Sequence, residues 1–293
     1  MAKHDNIDLV NQAKRIIKTV SIPPQPKVVM ELKRELGLDP DYGRIAQLVG
    51  GDTALCAMIL KVAHSPMFGA ERFDTIDGAT QKVLSSLVPD TLYNIIVDIS
   101  LKRRAGTLVN KLDGFYSHSE VVAKSCAYLA EKTGLVSSDV AYMTGLFHDC
   151  AIPVLAEKFD NYMDIAGAAM GLVPAKSLSG EQKSIIGIEG DMFNTDHCVV
   201  GYLFARMWGV SKSISDVILY HHYVDINIHK DKTTKDLAAI LLLSEFLCLF
   251  YDNVNNDAYQ NIEQWASFNN KVIVHLNIDI QDIVDMKDDV MEF

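Results

Sequence analysis

Apolar positions in this chain recur at intervals of three and four almost from end to end, and strict apolar–polar alternation is scarce. That spacing is the helical one, so the pattern predicts an all-α protein. Punctuation divides it into elements. Pro23-Pro24 opens a helix over Lys27–Leu36, which Gly37 ends. Asp39-Pro40 reads as an N-cap followed by proline at the first helical position. Gly50-Gly51 breaks the chain, and Asp52 caps a helix running to about Ala63. Ser65-Pro66 through Gly69 reads as a turn. Further helices are predicted over Ile76–Leu87, Thr91–Arg104, Tyr116–Thr133, Ser138–His148, Pro153–Met170, Asn194–Trp208, Ser211–His221 and Lys235–Tyr251. Gly171–Gly190 reads as loop with a short helix, and Lys271–Leu276 as a candidate short strand. The acidic tail Asn277–Phe293 reads as a solvated amphipathic helix or a fraying end.

Apolar density falls and the charge balance changes across Gly106–Gly114, which marks a lobe boundary. The chain then divides into a leader helix (1–20), an N-terminal helical lobe (21–110), a second lobe (111–225) and a helical extension (226–293).

Composition narrows the class. With 293 residues, 49% hydrophobic and 22% charged, the chain is neither disordered nor collagen-like and can bury a sizeable core. The net charge of −11 is uneven: +2 over residues 1–110 and −13 over 111–293. The acidic part repels phosphate backbones and anionic membranes, so nucleic acid is not expected as the main partner. The basic cluster Lys102-Arg103-Arg104 is the one feature for a DNA-binding reading, and it equally suits a helix C-terminus. The start lacks an apolar signal region, and the most apolar stretch, Ala238–Tyr251, is too short to span a bilayer and carries Glu245. Five widely spaced cysteines without a CxxC suit reduced thiols and a cytoplasmic location rather than a disulfide framework or zinc ribbon. No GxxxxGK[ST] or GxGxxG occurs, so a nucleotide-driven motor and a dinucleotide enzyme are not expected.

The candidate chemistry lies in the histidines. Five of the nine, His118, His148, His197, His221 and His222, fall in the predicted helices of the acidic part. Neutral imidazoles and carboxylates are the ligands of Fe, Mn, Zn and Ni sites. Consecutive residues on a helix point about 100° apart. His148-Asp149 can therefore serve one centre only where a helix ends, and Pro153 sets such an end. A carboxylate there could bridge two metals, and bound metal would activate water for phosphate-ester hydrolysis. The alternative is that each histidine is a structural, hydrogen-bonded residue of its own helix.

The same residues carry a resemblance. His118, His148-Asp149 and the later histidines resemble the HD superfamily of metal-dependent phosphohydrolases, and more closely its HDOD branch, the HD-related output domain of bacterial signalling proteins. Ile22-Pro23-Pro24-Gln25-Pro26 is similar to that family's opening LPPLP, and Asp52–Gly69 (DTALCAMILKVAHSPMFG) to its DPALxxxLLRLANSAxYG. Phe115–Ala123 (FYSHSEVVA), Gly145–Asp149 (GLFHD), Asp196–Gly201 (DHCVVG) with Trp208-Gly209, and Tyr220–His222 (YHH) continue the match over about residues 20–225.

The resemblance implies an HD-type multi-helical bundle with an additional N-terminal helical lobe. It implies metal ligands at His118, His148 and Asp149, further ligands at His197, His221 and His222, and Glu245 of Leu243–Leu247 (LSEFL) where the family has Asp. Two departures count against catalysis. The cleaving relatives follow HD with Ile-Gly-Lys, but here Cys150-Ala151-Ile152 follows, and their GYP loop is missing. The expectation is a stand-alone, bacterial, cytoplasmic signalling module. It would act through contacts with a signalling protein partner, with a degenerate HD site that still holds a divalent metal (Fe, Mn, Zn or Ni). The alternative is a metal-dependent phosphohydrolase with Asp149 as its catalytic residue. Homo-oligomerisation is left open.

Overall fold

Every regular element is a helix in the computed structural model, which describes residues 7–19, 26–36, 41–64, 75–84, 112–169, 184–251 and 261–293. The N-terminal part holds α1 (Ile7–Ile16), α2 (Pro26–Glu35), α3 (Tyr42–Gly50), α4 (Thr53–Ala63) and α5 (Ile76–Leu84). Then follow α6 (Asp113–Thr133), α7 (Ser138–Phe147), α8 (Ile152–Lys158), α9 (Met163–Ala169), α10 (Ile185–Phe193), α11 (His197–Met207) and α12 (Lys212–Tyr220). A 3₁₀ turn at Ile226–Ile228 leads to α13 (Lys232–Tyr251), α14 (Ile262–Phe268), α15 (Asn270–Leu276) and α16 (Ile280–Val290). The helix expected over Thr91–Arg104, the basic cluster within it and the turn at Ser65–Gly69 lie outside the described residues.

Local chemistry explains most boundaries. Asp52 caps α4 as expected, accepting from Leu55 N at 2.9 Å. The cap of α3 is Asp41, which accepts from Arg44 N at 3.0 Å, and Asp39-Pro40 lies outside the described residues. Pro153 sits in the first turn of α8, where a missing N–H costs nothing. The single helix expected over Pro153–Met170 is two, because the turn between α8 and α9 swings Tyr162 into the core with no exposed surface.

Lys271–Leu276 is helical, not a strand. Its buried residues are Val272 and Leu276, four apart, while Val274 is 70% exposed, so the packing follows the helical period. The acidic tail does not fray. Asp279 and Asp282 form a reciprocal capping box, and Ile283, Met286 and Val290 are buried.

The N-terminal lobe packs around α4, whose Leu55, Cys56, Ile59, Leu60 and Ala63 have no exposed surface. Two hydrogen bonds tie this lobe to α7: Thr53 Oγ1 donates to Leu146 O at 3.3 Å, and Tyr142 OH donates to Gly50 O at 3.1 Å. α1 packs on α11, burying Leu9, Ala13 and Ile16. No single described helix is long and apolar enough to cross a membrane.

The second lobe is built on the hairpin of α6 and α7. Gly134, at φ +64°, ends α6 in the left-handed conformation that glycine adopts without strain. Gly145 then lets α7 touch α6 backbone to backbone, since a Cβ there would lie 2.7 Å from Ala123 Cα. α13 runs through the centre and contacts α6, α7, α12, α15 and α16. It therefore reads as apolar all round, with Leu237, Ala239, Leu241, Leu243, Leu247 and Cys248 fully buried.

Candidate metal centre

Three helix ends and two helix interiors converge where the second lobe packs on α13. His118 comes from the first turns of α6, and His148 and Asp149 from the end of α7. His197 opens α11, His221 and His222 follow α12, and Glu245 projects from α13. All seven candidate residues fall into one connected cluster.

Asp149 sits at its middle and is 1% exposed. Its Oδ2 lies 3.3 Å from His148 Nε2, and its Oδ1 lies 3.4 Å from His221 Nε2 and 3.5 Å from His197 Nε2. Glu245 Oε1 is 3.7 Å from His148 Nε2. The His118 and His148 ring centres are 5.9 Å apart. His222 Nε2 is 2.8 Å from His197 Nε2. His118, His148 and Asp149 form one group of ligand atoms within 4.8 Å of one another, and His197, Cys198, His221 and His222 form a second.

The backbone and a buried carboxylate aim the rings. His148 Nδ1 faces Gly145 O at 2.6 Å, and His221 Nδ1 faces Ile218 O at 2.8 Å. Both carbonyls lie in the last turn of a helix, where they lack intrahelical partners. Donating Nδ1–H to them leaves each Nε2 lone pair directed at Asp149. His197 is held by Glu189, whose Oε2 takes both its Nδ1–H at 2.7 Å and its backbone N–H at 3.1 Å. Tyr162 OH donates to the other Glu189 oxygen at 2.5 Å. Such carboxylate–histidine pairs fix the tautomer of metal-ligating imidazoles.

Sequence reasoning missed Glu189, Tyr162 and Cys198. Glu189 falls in a stretch read as loop with a short helix, and its signal is a lone carboxylate closing the apolar run Ile185-Ile186-Gly187-Ile188.

The electrostatics follow from this crowding. Burial pushes the Asp149 carboxyl up, but His148, His221 and His197 outweigh it and hold the group well below the usual carboxylate range. Burial works against charging His148, His197 and His221, yet their acidic neighbours lift all three above the usual histidine value. Those neighbours are chiefly Asp149 for His148, Cys198 and Glu189 for His197, and Cys198 and Asp149 for His221. His222 goes the other way, lowered by burial and by His221 and His197 beside it. Burial raises Glu245, and His148 and His221 partly offset it.

A cation fits these residues. Both Asp149 oxygens and His148 Nε2 are buried without a hydrogen-bond partner. Leaving such atoms orphaned is costly. The spacings of 3.3–3.5 Å around Asp149 are too long for strong hydrogen bonds. They match the ligand–ligand edge of about 3.3 Å expected when N and O ligands sit tetrahedrally at about 2.0–2.1 Å from one ion.

The HDOD domain family model matches residues 22–224, which is most of the chain and includes every ligand candidate except Glu245. The chain belongs to the HDOD domain family. Solved structures share the fold of this HDOD protein. The MmoQ response regulator from Methylococcus capsulatus Bath is 16% identical, with a TM-score of 0.67 over 92% of this chain and 98% of that one. A virulence factor from Campylobacter jejuni subsp. jejuni is 14% identical, with a TM-score of 0.67 over 96% of this chain and 98% of that one. At these identities the likeness concerns the fold alone. No curated protein matches the sequence.

Proposed function

We propose that this HDOD protein is a signalling module whose second lobe is cross-linked by bound divalent transition metal, and that it acts through protein contacts rather than turnover. The observation that carries the reading is Asp149, a buried carboxylate with neither oxygen hydrogen-bonded and imidazole nitrogens facing both. His118, His148, Asp149 and Glu245 would hold metal on one side, and His197, His221 and His222 on the other. Bound metal would supply positive charge among these groups and join α6, α7, α11, α12 and α13 at one point.

Enclosure supports a structural rather than catalytic role. His148 and His197 have no exposed surface, Asp149 has 1%, and only His222 and Glu245 reach partly toward solvent. Cys150, Ala151 and Ile152, which follow the HD pair, are wholly buried and carry no cation for a phosphate. Among the described residues no Lys or Arg pairs with Asp149, Glu189 or Glu245. The net charge of −11 suits a protein partner over a phosphate polymer. MmoQ is itself named a response regulator.

A metal-dependent phosphohydrolase is the second reading. It is favoured by Asp149 presenting one oxygen to each group of imidazoles, the arrangement of a bridging ligand in a two-metal site. One pair of measurements separates the readings: metal analysis of the purified protein, and hydrolysis of an activated phosphodiester with Fe, Mn, Zn or Ni. Bound metal without turnover supports the module. Turnover that disappears in Asp149→Ala overturns it. Absence of bound metal removes both.

A further inference from the structure

Cys198 lies beside the second imidazole group, a place the HD pattern does not explain. It follows His197 in the first turn of α11 and is fully buried. Its Sγ is 3.5 Å from His197 Nε2 and 3.8 Å from His221 Nδ1. The second contact is weak in kind, because His221 Nδ1 already faces Ile218 O at 2.8 Å. The sulfur therefore shares its main contact, His197 Nε2, with His222 Nε2 at 2.8 Å.

Proton counting makes this crowding informative. Glu189 takes the Nδ1 proton of His197. In the neutral ring, Nε2 then offers a single lone pair, which cannot accept from both the Cys198 thiol and the His222 ring. In the charged ring, Nε2 carries one proton, which can go to only one of them. Either way one of the two contacts goes unmade, at the fully buried thiol or at the half-buried His222 ring. A cation among Cys198, His197 and His222 satisfies all three together.

The spacing agrees. With Zn–N at about 2.0–2.1 Å and Zn–S at about 2.3 Å, a tetrahedral N–S edge is about 3.6 Å. The His197–Cys198 separation is 3.5 Å. Among the described residues, Cys198 is the one cysteine that joins a group of potential metal ligands. Cys150, though adjacent to Asp149, directs its sulfur to Gly201 O at 4.0 Å.

We propose that Cys198 is a thiolate metal ligand which, with His197 and His222, forms a thiophilic centre for a zinc-type ion. This centre is distinct in chemistry from the oxygen-and-imidazole set of His118, His148, Asp149 and Glu245. The proposal rests on the metal-binding reading above and adds the identity of the ion. A thiolate selects zinc or cobalt over manganese, whereas the carboxylate-rich set does not. Binding deprotonates the thiol and releases its proton to solvent, with no oxidation or reduction.

The test is optical and needs no catalytic assay. The metal-stripped full chain is loaded with Co²⁺ and its spectrum recorded for wild type, Cys198→Ser and Cys150→Ser, with far-ultraviolet dichroism reporting the fold. Wild type and Cys150→Ser show an intense near-ultraviolet sulfur-to-cobalt charge-transfer band. Cys198→Ser loses that band while keeping the weaker visible cobalt transitions. Cobalt bound to wild type without the charge-transfer band overturns the proposal and leaves the metal reading standing, as does a band that survives in Cys198→Ser. No cobalt uptake at all overturns both. If Cys198→Ser fails to fold, zinc-edge X-ray absorption on wild type decides. A sulfur neighbour at about 2.3 Å supports the thiolate, and a shell of N and O alone rejects it.

Discussion

Gly145 of α7 lies against Ala123 of α6 so closely that a Cβ on the glycine would sit 2.7 Å from Ala123 Cα and 2.8 Å from Val122 O. The opposing atoms are backbone, so they cannot swing away. The same glycine lends its carbonyl to His148 Nδ1. One residue thus sets both the approach of the two helices and the aim of the His148 ring.

Gly145→Ala should therefore push α7 off α6, destabilising the protein by about 1–3 kcal/mol through overpacking. It should also separate His118 from His148 and lower metal stoichiometry. Gly190→Ala makes the contrast: its Cβ meets nothing within 4 Å, and it lies inside α10. Gaining helix propensity there should stabilise by up to about 1 kcal/mol. Urea denaturation of the two variants checks the pair, and a Gly145→Ala protein as stable as wild type would contradict the packing argument.

Glu189→Gln tests the support of His197. Glu189 accepts three hydrogen bonds, from Tyr162 OH, His197 Nδ1 and His197 N. The amide of Gln can keep its oxygen for the two His197 N–H groups only by turning its NH2 to Tyr162, whose hydroxyl must then accept instead of donate, and the carboxylate charge that holds the Nδ1–H of His197 is lost. Stability should fall by about 1–3 kcal/mol. Metal affinity should fall by about 10–100-fold, as for other partners that orient a ligating histidine. Titration against a chelating indicator measures the second effect.

Metal removal should lower the melting temperature of wild type, and added zinc should restore it. Binding at 100 times the dissociation constant contributes about 2.7 kcal/mol. In Asp149→Asn the two imidazole groups lose their shared carboxylate, so chelator and zinc should move the melting temperature less than in wild type, with only the group of His197, Cys198 and His222 left to respond. A response in Asp149→Asn as large as that of wild type would show that Asp149 holds none of the stabilising metal.

The pH dependence of stability should change sign with metal. Without a cation, His197 and His221 titrate above the usual value of 6.5, because acidic neighbours outweigh their burial. Groups raised on folding contribute stability that is complete below the unfolded pKa and lost as pH rises through the folded one. Asp149, held low by its imidazole neighbours against burial, contributes above its unfolded pKa and is lost only at acid pH. The chelated protein should therefore be less stable at about pH 8 than at about pH 6, taking about 6.5 as the unfolded histidine value. With zinc the order reverses, since the ligands must be deprotonated to bind and uptake releases protons. Urea midpoints at both pH values, with and without zinc, test the reversal.

The sequence by itself determined the helical class, the cap at Asp52, the end of a helix at His148-Asp149 and the histidines and carboxylates that meet in the cluster. These are local matters: a three-to-four apolar period, a capping carboxylate and a proline act over one or two turns. It misread Lys271–Leu276, because a short apolar run, Val272-Ile273-Val274 with Leu276, satisfies either period, and only burial of Val272 and Leu276 decided for helix.

The tertiary structure alone decided that His118, Asp149, His197, His222 and Glu245, spread over more than a hundred positions, share one buried point. That depends on how closely helices approach, which Gly145 permits against Ala123 and Gly201 permits against Ile218. It also brought in Glu189 and Cys198. A carboxylate and a thiol acquire their roles from the imidazole they meet across a helix packing, and no spacing along the chain records that meeting.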